Sequence, residues 1–252
     1  MRPPAELQFR DLTLGYERHP AVHHLTGVVE TGSLTAVVGP NGAGKSTLFK
    51  GIVGALKPLA GSIERRDRDT RDIAYLPQVA DIDRSFPISV YDMVAMGLWH
   101  SKGLFGGFGR KDHAAIEAGI ATVGLTGFEQ RGIGTLSGGQ MQRMLFARLV
   151  IQDARVIVLD EPFNAIDAKT VADLMALIQR WRAEQRTVIC VLHDLEHVRR
   201  EFPNSLLLAR ELVAAGPTSR VLSAENLLRA RAMAEAWDEH AGACDVPLRK
   251  SA

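Results

Sequence analysis

Three short segments carry residue types suited to handling a polyphosphate. Gly39-Pro-Asn-Gly-Ala-Gly-Lys-Ser46 has the spacing G-x-x-x-x-G-K-[ST]. Its glycines let successive backbone N–H groups turn inward as an anion nest, and a helix starting there adds its partial positive charge. Lys45 then reaches the β- and γ-phosphates of a nucleotide, and the Ser46 hydroxyl is a Mg²⁺ ligand. Val156-Ile-Val-Leu-Asp-Glu161 ends an apolar strand in two acids. Asp160 suits the Mg²⁺ shell, and the adjacent Glu161 suits a base that orients and deprotonates an attacking water. Leu136-Ser-Gly-Gly-Gln140 exposes backbone amides at the start of a helix running from Met141 to Val150, a second anion site. By residue types alone this segment also reads as a Ser-Gly helix cap.

These segments need a scaffold, and the hydrophobic pattern supplies one. Leu34-Thr-Ala-Val-Val38 is a buried-strand run before the first Gly-rich turn, and Ser46 to Val53 has helical spacing. Val156–Leu159 and Thr187–Leu192 are further apolar runs, with the helical stretch Lys169 to Glu184 between them. Strand, helix, strand implies a parallel sheet. The first 30 residues instead alternate, Leu7 to Leu14 and Ala21 to Val29, interrupted by Gly15 and Pro20, as antiparallel strands with one wet face do. Residues 78–150 break the sheet rhythm with a polar loop (Ala80 to Ser89), helical stretches Val90 to Trp99 and Asp112 to Val123, and the Gly-rich segment Gly103 to Gly109.

Composition narrows the class. The 252 residues are 46% hydrophobic and 23% charged, as in ordinary globular proteins, with a net charge of +1. That balance gives no reason to expect a nucleic-acid partner. No apolar run approaches spanning length, and Met1 to Glu6 lacks a secretory h-region, so a cytoplasmic location is expected. Cys190 and Cys244 are too few for a disulfide framework.

Taken together, Gly39–Ser46, Asp160-Glu161 and above all Leu136–Gln140 resemble the ABC ATPase family, over roughly residues 7 to 225. The resemblance implies an α/β fold: a P-loop NTPase (RecA-like) parallel-sheet core with an N-terminal antiparallel β-subdomain and an inserted α-helical subdomain. Residues 1–77 and 151–225 would form the core, 78–150 the insert, and 226–252 a C-terminal helical tail. It implies ATP and Mg²⁺ as ligands. Tyr16 resembles the aromatic that stacks on adenine, and Gly39, Pro40, Asn41, Gly42, Ala43, Gly44, Lys45, Ser46 and Thr47 the phosphate cradle. Gln78 looks like the glutamine that joins Ser46 and Asp160 around Mg²⁺. Asn164-Ala-Ile-Asp167 resembles the loop that crosses between subunits, with Asn164 where the family more often has Ser. His193 looks like the switch histidine on the γ-phosphate, acting with Glu161 and Lys45. The family works as a head-to-tail homodimer, in which Ser137, Gly138, Gly139, Gln140 and Asp167 reach the partner's ATP in trans.

Leu76 to Trp99, with Pro-Gln, an acidic spacer, Phe-Pro and a helix ending in Met-Gly, looks like the metal-ion importer branch. The cargo implied is zinc first and manganese next, then iron, a metal chelate or haem. In that branch this subunit docks under a separate membrane permease on the cytoplasmic side of the bacterial inner membrane, and an extracytoplasmic metal-binding protein delivers the ion. A non-transport ABC ATPase of DNA repair or translation is the reading from another class; it would usually carry a long coiled-coil insertion or tandem cassettes. His193 and His197 have the i, i+4 spacing of a zinc pair, but His193 ends an apolar strand, so the rings need not share a face. His23-His24 are expected on opposite sides of a strand, and His240 with Cys244 is a metal-sensing candidate. Of the aromatics Phe86, Trp99, Phe105 and Phe108, small-core packing is expected for all but Phe86.

Overall fold

The computed structural model describes residues 5–16, 19–66, 72–102 and 107–235. The elements run β1 (Ala5–Tyr16), β2 (His19–Glu30), β3 (Leu34–Val38), α1 (Lys45–Ile52), β4 (Ala60–Arg65), β5 (Ile73–Leu76), α2 (Val90–Ala95), α3 (Trp99–Lys102) and α4 (Arg110–Thr122). They continue with α5 (Gly138–Gln152), β6 (Val156–Asp160), α6 (Ala168–Ala183), β7 (Thr187–Val191), α7 (Leu195–Glu201), β8 (Asn204–Ala209), β9 (Glu211–Pro217), α8 (Thr218–Val221) and α9 (Ala224–Glu235). The chain divides into two compact units, residues 1–70 with 189–252 and residues 71–188. Among the described residues no helix is long and apolar enough to cross a membrane.

In the first unit β1, β2 and β4 make an antiparallel sheet in the order β2-β1-β4. The alternation in β2 buries Pro20, Val22, Leu25 and Val29, as one-sided burial requires. Gly15 and Pro20 do not interrupt these strands. They pair with each other next to the turn, and β2 is an outer strand, where proline is tolerated. β3 is buried throughout and pairs in parallel with β8, from Thr35↔Asn204 to Val38↔Leu207. β8 then turns back antiparallel into β9, and α8 and α9 pack on this pair.

The alternation fails at His24, which does not face away from His23. His24 adopts φ +44 and its cross-strand neighbour Asp11 φ +46, a bulge that leaves the two imidazoles 6.3 Å apart. His24 Nδ1 lies 2.7 Å from Asp11 Oδ1. Burial holds the His23 imidazole below the usual histidine range, and burial followed by the Arg200 charge does the same for His197. The unfolded chain therefore takes up protons at about pH 6.5, before the folded chain does, and stability rises with pH across that window. Stability is expected to be full above about pH 7 and to fall as the pH is lowered through the ordinary histidine range. His23→Gln and His197→Gln should each flatten the decline in melting temperature over that range; unchanged slopes in both would remove these groups as its origin.

The second unit is organised around α5, which buries Met141, Met144, Leu145, Phe146 and Leu149 and packs on α2, α4 and β5. Contact is close because Gly119 and Gly97 face Ile151, where a Cβ would come within 2.6 and 2.7 Å of its side chain. β5 pairs in parallel with β6, Ile73↔Val156 to Leu76↔Leu159. Side chains of α5 also satisfy β5 carbonyls: Arg148 Nη2 donates to Tyr75 O at 2.9 Å and Gln152 Nε2 to Ile73 O at 3.1 Å. Phe146 stacks on Trp181 of α6 at 5.8 Å between centroids. Trp99 does not join this core; it is 59% exposed, as is Phe86 at 60%. Trp99 opens α3, a four-residue helix that packs chiefly on the turn before it. Phe108 is half-buried, edge-on to His113. Phe105, His240, Cys244 and the tail beyond residue 235 lie outside the described residues.

Candidate active site

Tyr16, Gly39 to Thr47 and His193 belong to the first unit; Gln78, Ser137 to Gln140, Asp160, Glu161 and Asp167 belong to the second. The phosphate loop leaves β3 through three left-handed glycines, Gly39 (φ +155), Gly42 (φ +76) and Gly44 (φ +87), and Gly44 caps α1. Two of them are also close-approach points. A Cβ at Gly39 would lie 1.9 Å from Leu208 O, and one at Gly44 would lie 2.4 Å from Ala21 O. The Lys45 side chain is buried under the loop, and its ammonium donates to Gly39 O at 2.9 Å and Pro40 O at 2.8 Å. A cation is thus held where the glycine amides converge.

Two neighbours fix this loop in ways the sequence does not announce. Arg210, left-handed at φ +63 between β8 and β9, donates its N–H to Ala43 O at 3.1 Å, and its carbonyl accepts from His23 N at 2.7 Å. Both are backbone bonds, so no side-chain pattern reveals them. After β7, Leu192 N donates to Val37 O at 3.2 Å, which brings His193 to the end of β3. His193 shares a cavity of about 280 Å³ with Gly39, Pro40, Leu207 and Leu227. Tyr16 ends β1 half exposed, with the Lys50 ammonium of α1 5.8 Å from its ring centroid. His197 sits on α7, whose N-cap Asp194 separates it from His193, so the two histidines do not share a helix face.

In the second unit the β5–β6 register brings Gln78 and the two acids to the same strand ends, since Leu76 is opposite Leu159. Asp160 is 1% exposed. Glu161 turns out of the strand at φ +50, which sends neighbouring carboxylates in different directions. Asn164 closes on Glu161 twice: its N–H donates to the Glu161 carbonyl at 3.3 Å and its amide Nδ2 to carboxylate Oε2 at 3.3 Å. The serine more usual there has too short a side chain to make the second contact in the same way.

The Leu136–Gln140 segment is a capping box. Ser137 Oγ accepts from Gln140 N at 3.3 Å and Gln140 Oε1 accepts from Ser137 N at 3.0 Å. Ser137 and Gly138 are exposed, so the helix N-terminus is open to an anion. Gly138 and Gly139 lie against Ala165 and Asp167, with a Cβ at Gly139 3.5 Å from Asp167 Oδ2. Asp167 in turn caps α6, accepting from Thr170 N at 2.9 Å and Thr170 Oγ1 at 2.6 Å, and these bonds hold its carboxyl below the usual carboxylate range. Arg143 ties the group together, donating to Thr170 Oγ1 at 3.3 Å and pairing with Asp173 at 2.7 Å.

The profile of the family described as "ABC transporter" matches residues 22–164. The manganese transport system ATP-binding protein MntB of Listeria monocytogenes is 38% identical over 225 residues, 88% of this chain and 94% of that one. The zinc transport system ATP-binding protein TroB of Treponema pallidum is 36% identical, covering 89% of this chain and 86% of its own. Among solved structures, a chain of an inward-facing ABC transporter described as of metal-chelate type superposes with a TM-score of 0.79 at 28% identity, covering 90% of each chain.

Proposed function

The chain belongs to the ABC transporter family, and from that premise we propose that it is the ATP-hydrolysing subunit of an importer for a divalent metal ion, zinc or manganese, working with a separate membrane permease. ATPase chemistry and the P-loop α/β fold come with the family. The observation that carries the cargo reading is the alignment, over nearly the whole of both chains, with relatives named for manganese and for zinc transport.

In the proposed cycle Lys45 transfers its hydrogen bonds from Gly39 O and Pro40 O to phosphate oxygens, while the glycine amides hold the rest of the chain of phosphates. Tyr16 offers its exposed ring to the adenine. Glu161, oriented by Asn164, accepts the proton of the attacking water, and His193 hydrogen-bonds the γ-phosphate. Ser46, Gln78 and Asp160 offer oxygen donors only, the set that Mg²⁺ takes. Bound there, Mg²⁺ would neutralise charge on the β- and γ-phosphates. A second copy of the chain supplies Ser137 to Gln140 and Asp167 across a head-to-tail interface, so closing depends on the γ-phosphate being present. The exposed Phe86 and Trp99 form the face offered to the permease on the cytoplasmic side of the membrane.

Cells deprived of this chain are expected to lose high-affinity uptake of one of the two ions, and to regain it with the wild type but not with Lys45→Ala. Unchanged uptake of both zinc and manganese overturns the cargo reading.

A further inference from the structure

The loop after Gln78 and the stretch leading into Ser137 are laced together by their main chains. Ile133 N donates to Ile88 O at 3.0 Å, Val90 N to Arg131 O at 2.9 Å and Tyr91 N to Glu129 O at 2.9 Å, and Ser89 and Gly132 form an antiparallel bridge. Beyond Gly132 a side chain takes over. The Arg84 guanidinium donates to the carbonyl of Leu136, the residue immediately before the N-cap. The Arg84 main chain is close as well: a Cβ at Gly134 would lie 2.8 Å from Arg84 O. Arg84 is itself held in a tight turn, in which Ser85 N and Oγ donate to Asp83 Oδ1 at 2.9 and 2.6 Å. Phe86, two residues on, is exposed.

Leu136 C=O and Ser137 N–H are the two ends of one planar peptide. Arg84 holds the oxygen end, and Gln140 Oε1 holds the N–H end at 3.0 Å. With both ends fixed, the plane cannot rotate, and its orientation sets where the Ser137 hydroxyl and the Gly138 and Gly139 amides point.

We propose that Arg84 is a positioning residue, which fixes the Leu136–Ser137 peptide so that the start of α5 faces the partner's nucleotide, and which makes the exposed Phe86 loop and that helix start one mechanical piece. Pressure on the loop from the permease is then transmitted to the trans half of the ATP site through a charge-assisted bond rather than through slack chain. This rests on the head-to-tail pairing proposed above.

The test uses the full chain carrying Glu161→Gln, with ATP-driven dimerisation followed by sedimentation and ATP binding to the dilute monomer followed separately. Adding Arg84→Ala is expected to raise the ATP concentration needed for half-dimerisation about tenfold, the equivalent of one charge-assisted hydrogen bond, with monomer binding unchanged. Arg84→Lys, which keeps a donor, should recover most of the loss. Gly134→Ala, which pushes on the Arg84 main chain without removing a charge, should move dimerisation in the same direction. Parental dimerisation by Arg84→Ala, or equal loss in Arg84→Lys, overturns the proposal. Loss of monomer binding in Arg84→Ala does so too, because the residue would then be supporting the fold. If the Glu161→Gln parent binds ATP and never dimerises, the pairing itself falls and takes this inference with it.

Discussion

Glu161→Gln is expected to bind ATP with near-parental affinity, to lose turnover by about 10²–10⁴-fold, and to accumulate as a closed dimer. The substitution preserves shape. Glutamine keeps a carbonyl oxygen where Oε2 accepts from Asn164 Nδ2, and the left-handed turn at φ +50 that aims the side chain is a main-chain property it does not alter. What disappears is the capacity to take a proton from water. Binding and closing therefore survive while the step that lets the pair reopen does not. Single-turnover hydrolysis read beside sedimentation separates the two effects. Parental turnover in this variant would remove Glu161 as the base, and turnover lost together with ATP binding would make it a structural residue.

The second large effect is on folding. Gly39→Ala should cost about 3 kcal/mol or more of stability, whereas Gly42→Ala, in the same loop, should cost about 1 kcal/mol. Both glycines have positive φ, so both substitutions carry a backbone penalty. They differ in surroundings. A Cβ at Gly39 would sit 1.9 Å from the Leu208 carbonyl oxygen, a main-chain atom locked into the β8 ladder, while a Cβ at Gly42 meets nothing within 4 Å. Gly39→Ala must displace either the loop or the strand, and nucleotide affinity should fall with stability. Denaturant unfolding of the two variants is the measurement, and equal losses would mean that the loop relaxes freely away from β8.

The parts legible in the sequence were those whose chemistry is local. β3, β6 and β7 are fully buried, so they appear as predominantly apolar runs without the alternation of a solvent-facing strand. Phosphate-loop glycines are similarly plain, because glycine meets their positive backbone angles at the least cost. The Leu136–Gln140 segment was legible as a helix cap, which the capping box bears out, and the exposed Ser137 and Gly138 leave that helix start accessible. Less legible were features that depend on distant neighbours. Pro20 reads as a break, yet it is carried near the end of an outer strand. Trp99 reads as core, yet it opens a four-residue helix and is exposed, which its own residue type does not announce. The bond from Arg84 to Leu136 and the backbone brace from Arg210 to Ala43 leave no periodic trace, since one joins a side chain to a carbonyl far along the chain and the other involves no side chain.

The cap at Ser137 has a consequence for the energetics of assembly. A hydroxyl carries one proton and two lone pairs, and Gln140 N uses only a lone pair. The proton remains available to a further acceptor at the exposed start of α5. In the proposed pairing an arriving triphosphate would meet donors whose cap bonds it need not break, so this half of the site is organised before contact. Under that proposal, attraction between nucleotide and helix start would help hold two chains together, and its withdrawal after hydrolysis would let them part.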